Sequence, residues 1–108
     1  MLELKLVKEH CRLEPDFSAD DNLLNVFIGA AKKHVEMSTR RTLYASASDP
    51  GYEDDEDRLL LDDDVRTAML LLIGHWYENR EASVIGQAVA KLPLAVESFL
   101  QPYRIYGL

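Results

Sequence analysis

The residues able to do chemistry are few, and their spacing keeps them apart. Cys11 is the single cysteine and His10 precedes it directly. A thiol nucleophile needs a base within hydrogen-bond reach, whereas consecutive helical side chains project about 100° apart and pair poorly. A small buried cysteine beside a solvated histidine fits the usual behaviour of free cysteine. His34 and His75 fall on separate segments, neither with a second histidine or cysteine three or four residues away, so a histidine-based zinc site is not expected. The run Glu53-Asp54-Asp55-Glu56-Asp57 offers many carboxylate oxygens, yet it lacks the alternating ligands and central glycine of an EF-hand loop. It reads as a solvated, self-repelling loop. The five glycines form no phosphate-cradling pattern. The expectation is a protein that is not an enzyme, with no catalytic residues, no cofactor and no metal.

Charge placement is the stronger signal. The formal charge is −7, but Asp49 to Asp64 alone hold nine acids against Arg58, a local −8, so the rest of the chain is near neutral at +1. No basic stripe of the kind that neutralises phosphates stands out, although Lys32-Lys33 and Arg40-Arg41 form small patches. One cysteine excludes an internal disulfide framework and fits a reducing compartment. The start, Met1-Leu2-Glu3-Leu4-Lys5-Leu6, mixes charge into its apolar residues and does not read as a signal peptide. The longest apolar run, Ala68 to Gly74, is far short of the roughly 20 residues a membrane helix needs.

At 108 residues the chain is expected to be one domain over 1–108. Its periodicity predicts an all-α fold, a small bundle of about four helices with a long acidic loop, about 45–62, between helices two and three. Helix one is expected from Glu3 to Cys11, ending before Pro15. Ser18-Ala19-Asp20-Asp21 has capping-box spacing and opens helix two, whose apolar face is Leu24, Phe27, Ile28, Ala31 and Val35. Lys32, Glu36 and Arg40 form a charged ladder on another face. Leu59-Leu60-Leu61 reads as a brief extended or core-facing segment, and Asp62-Asp63-Asp64 supply caps for helix three, Val65 to about Glu81. Helix three carries Val65, Ala68, Met69, Leu72, Ile73 and Trp76 on one stripe, with Leu70, Leu71 and Tyr77 off it, an arc too wide for one-sided burial. After a linker, Ala82 to Lys91, Pro93 opens helix four with Val96, Phe99 and Leu100 inward, and Pro102 stops it. The end, Tyr103 to Leu108, is unusually apolar for a terminus. Leu70, Tyr77, Phe99, Tyr103, Ile105 and Tyr106 are therefore the candidates for contact between subunits.

Four pieces in order carry a resemblance: Leu4 to His10; Asp20 to Leu43, closing on Thr39-Arg40-Arg41-Thr42-Leu43; Ala68 to Glu81, with its His75-Trp76-Tyr77-Glu78-Asn79-Arg80-Glu81 run; and Leu92-Pro93 leading to Pro102-Tyr103-Arg104. Together they resemble the gp6-like head–tail connector, or adaptor, proteins of tailed phages. The resemblance implies a virion structural protein at the head–tail junction of a phage or prophage, made in the bacterial host cytoplasm. It implies a closed homo-oligomeric ring below the portal, dodecameric in the particle, which extends the DNA channel and meets a tail-side head-completion protein. DNA would pass through without sequence-specific binding, and no membrane is involved. A rival from another class is an acidic regulatory or inhibitor domain presenting Glu53, Asp54, Asp55, Glu56 and Asp57 to a basic protein surface.

Overall fold

A computed structural model of the chain describes residues 1–79 and 94–105. The linker Ala82 to Lys91, the opening Pro93 and the candidate Tyr106 lie outside the described residues. Within them four helices are formed: α1 (Leu4–His10), α2 (Asp21–Thr39), α3 (Asp63–Glu78) and α4 (Leu94–Leu100), the last running into a 3₁₀ turn, Gln101–Tyr103.

The fold is mostly helical but not all-α. Two strands, β1 (Thr42–Tyr44) and β2 (Arg58–Leu60), pair in parallel with Leu43 opposite Leu59. Strands of three residues are too short for alternation to register in sequence, and their pairing is made across the whole acidic loop. What holds them is burial: Leu43, Leu59 and the adjacent Leu61 all enter the core. The Leu59-Leu60-Leu61 segment is extended through Leu60, with Leu59 and Leu61 facing the core and Leu60 facing outward.

Helix α3 occupies the centre, in contact with α1, α2 and α4. Its stripe is buried as read, with Val65, Ala68, Met69, Leu72 and Ile73 fully enclosed and Trp76 packed beside Phe27 at a ring separation of 5.9 Å. The wide arc has a domestic explanation, because Leu70, Leu71 and Tyr77 also pack against the core. A helix flanked on several sides needs apolar residues around most of its circumference. Its start is capped by Asp62, whose Oδ1 accepts from the Val65 amide at 3.0 Å.

At α2 the capping box does not form through the Ser18 hydroxyl. The Asp21 amide donates to the Ser18 carbonyl instead, at 3.2 Å, and the Asp20 carboxylate accepts from the Tyr77 hydroxyl. Asp21 pairs with Lys8 across the α1–α2 contact at 2.8 Å. Seven residues are too few for a helix to persist alone, so this ion pair and the buried Val7 anchor α1. Its end is a Schellman turn: Arg12 is left-handed, with φ 60°, its amide donating to Glu9 and that of Leu13 to Lys8. Arg40 ends α2 in the same left-handed region at φ 61°.

Candidate assembly surface

His10 and Cys11 end α1 and, with Arg12, Leu71, Gly74, His75 and Glu78, line an open cleft of about 460 Å³ against α3. Burial raises the Cys11 thiol above its ordinary pKa, and the neighbouring Glu78 charge raises it further. This is the reverse of what activates a thiol nucleophile. His34 is on α2, its Nε2 buried without a hydrogen-bond partner. Among the described residues no group of three or more histidine, cysteine or acidic side chains is arranged to hold a metal.

The acidic loop is built from turns rather than left as a repelling coil. Asp49 Oδ2 accepts from the amides of Ala45 and Ser46 at 3.1 and 3.2 Å, closing the first bend. Gly51, at φ 88°, brings the chain back beneath Tyr44. The Tyr44 hydroxyl donates to Asp55 at 2.8 Å, and Asp55 also accepts from the Asp57 amide. That hydrogen bond raises the Tyr44 pKa and lowers that of Asp55. Tyr52 meets Tyr44 edge-on at 5.5 Å, and Arg58 lies 5.0 Å over the Tyr52 ring. Asp55 therefore serves the loop's own structure, while Glu53, Asp54, Glu56 and Asp57 face solvent.

Of the six residues singled out for subunit contact, five are described, and all five are half-buried. Leu70 and Phe99 pack against the core. Tyr77 does so as well, with its hydroxyl on Asp20. The Tyr103 hydroxyl sits between Asp62 and Asp64 at 3.0 and 2.8 Å, at the start of α3. The Ile105 amide donates to the Thr39 carbonyl at 2.9 Å, and Arg41 donates to the Tyr103 carbonyl, so Tyr103 and Ile105 are held against the end of α2 in their own chain.

The apolar surface that is most exposed lies elsewhere. Val26 and Met37, 65% and 72% exposed, stand on the outward face of α2 with the small Gly29 and Ala30 between them. The sequence reading gave this helix an inward apolar stripe and a charged ladder, and left Val26 and Met37 out of both. The signal was present as two large apolar residues opposite the Leu24–Ile28–Val35 stripe.

The described side chains are engaged in packing, caps and turns, and the sequence comparison gives the family. A family model described as "Phage gp6-like head-tail connector protein" matches residues 1–104. The chain belongs to this family. No curated protein and no solved structure matches it. The connector match runs from before α1 to the residue after the 3₁₀ turn, so both the acidic loop and the outward face of α2 lie inside it. No helix among the described residues is long and apolar enough to cross a membrane. The connector family is a structural one, consistent with a thiol raised rather than activated and with carboxylates engaged in turns and caps.

Proposed function

We propose that this chain is a connector subunit that assembles into a closed ring, dodecameric in the particle, beneath the portal of a phage or prophage capsid. The ring extends the DNA channel and offers its far side to a tail-side head-completion protein. The subunit is made in the host cytoplasm and ends at the head–tail junction. The observation that carries this reading is the family match over residues 1–104.

Two physical features support it. A ring needs a heterologous contact, hence two different adhesive surfaces on each subunit, and this small domain leaves large apolar residues outside its core. DNA must slide through a channel without being gripped, and a near-neutral body with an acidic loop keeps phosphate contacts weak. Leu70, Tyr77, Phe99, Tyr103 and Ile105 stabilise the subunit itself and have only their outer edges, together with Tyr106, to give to a neighbour. The loop residues Glu53, Asp54, Glu56 and Asp57 face a partner, with Asp55 holding the loop in shape.

The test is binding to immobilised portal from the same phage genome, with the mass of the bound assembly read by light scattering after elution. Retention as a multi-subunit ring is the expected result. A chain that neither binds portal nor self-associates at any concentration overturns the reading.

A further inference from the structure

The outward face of α2 combines two properties. It is apolar at Val26 and Met37, with Gly29 and Ala30 leaving room for close approach, and it is positive at the exposed Lys33 and at Arg40. From Val26 to Met37 the face extends about 16 Å at 1.5 Å per residue. No carboxylate opposes it from its own helix. The two acids of α2 are Asp21, paired with Lys8, and Glu36, whose Oε2 accepts from the Leu43 amide at 2.8 Å.

The complementary surface is on the same molecule. The β1–β2 loop presents Glu53, Asp54, Glu56 and Asp57 to solvent, and from Asp49 to Asp57 it holds six acids and no base. Its hydrogen bonds through Tyr44, Asp49 and Asp55 fix its form before any contact, which lowers the entropy lost on docking. Leu60, at 37% exposure beside the loop, adds apolar area.

We infer that the outward face of α2 receives the β1–β2 loop of a second copy of this chain. The contact joins two different surfaces, so it propagates head to tail and closes only as a ring. It rests on the connector reading and specifies where its subunits meet. The half-buried Leu70, Tyr77 and Tyr103 are secondary to it, because they already hold their own subunit together. Charge complementarity of this kind sets register and rate, and the apolar centre supplies the hold.

Cross-linking between copies tests the inference. In a Cys11→Ser background carrying Met37→Cys and Asp54→Cys, oxidation at high protein concentration, alone and on immobilised portal, should give a ladder extending beyond dimers. Either substitution alone should stop at dimers. Lys33→Glu should weaken association about tenfold at low salt, and mixing it with a chain carrying Asp54→Lys and Glu56→Lys should restore it. These positions are exposed, and circular dichroism checks that each variant is folded. Two results overturn this interface while leaving the connector reading intact: association that persists unchanged in Lys33→Glu and Met37→Asp, or portal binding by the doubly substituted chain without any disulfide between copies. Failure to bind portal at all sinks the reading as well.

Discussion

His10 Nε2 lies 2.8 Å from the point where a Cβ on Gly74 would stand. The imidazole at the end of α1 covers the bare backbone of α3, so a glycine in the middle of a helix has a packing reason. Alanine at 74 would bring the favourable helix propensity of up to about 1 kcal/mol but would displace the ring. Gly74→Ala is therefore expected to be near neutral in the native chain and stabilising in a His10→Ala background. A double-mutant cycle on urea midpoints checks this, and additivity of the two changes would contradict the contact.

Tyr103 ties the end of α4 to the start of α3 through Asp62 and Asp64. Its pKa is raised well above the ordinary tyrosine value, first by the hydrogen bond to Asp64, then by burial and by the bond to Asp62. A tyrosine with a raised folded-state pKa contributes stability fully present below its unfolded pKa, about 10, and lost as pH rises above that value. Tyr103→Phe should cost about 1 kcal/mol at pH 7. The gap from the native chain should narrow at strongly alkaline pH, read by chemical denaturation across that range.

Asp62 caps α3 and accepts from Tyr103. Asp62→Ala removes the cap on the Val65 amide and one of the two acceptors of the Tyr103 hydroxyl, and should lower stability by about 1–2 kcal/mol, more than Asp63→Ala, because Asp63 is exposed and its side chain pairs with Arg66 one turn on. Thermal midpoints of the two variants decide the order.

Arg12 holds a left-handed conformation at the close of α1. A side chain there costs about 1–2 kcal/mol, partly offset by the greater freedom glycine gives the unfolded chain. Arg12→Gly is expected to raise stability by about 0.5–1 kcal/mol, measured by urea denaturation, and a loss of stability would mean the arginine side chain is needed in the cleft.

Cys11 is shifted toward the thiol form by burial and by Glu78. At neutral pH it should react with a disulfide reagent more slowly than an unstructured cysteine, and Glu78→Gln should speed it only modestly, since burial is the larger cause. Rapid labelling of the folded chain at pH 7 would contradict this placement.

Much of the fold was legible in the chain because helical periodicity is local. The inward stripes of α2 and α3, the stop before Pro15 and the Asp62 to Asp64 cap region all follow from side chains three or four residues apart. The β1–β2 pair was not legible, since three-residue strands leave no alternation and their partners are far apart in sequence. The same holds for Ser18, because nothing local reveals that Asp20 is taken by Tyr77 and that a carbonyl closes the turn.

Composition and order of residues by themselves determined a mostly helical scaffold, a charge concentrated in one loop, the absence of any recognisable catalytic motif and the resemblance to connectors. Only the tertiary structure decided which apolar residues are left over. Leu70 and Tyr77 look like surplus along the chain but pack against the core, because α3 is surrounded on several sides, and Tyr103 joins them through its bonds to the start of α3. Val26 and Met37 look incidental but remain outside, because the other face of α2 is the one the core covers. Exposure depends on what packs against a helix, and that is a property of the assembled fold, not of any one segment.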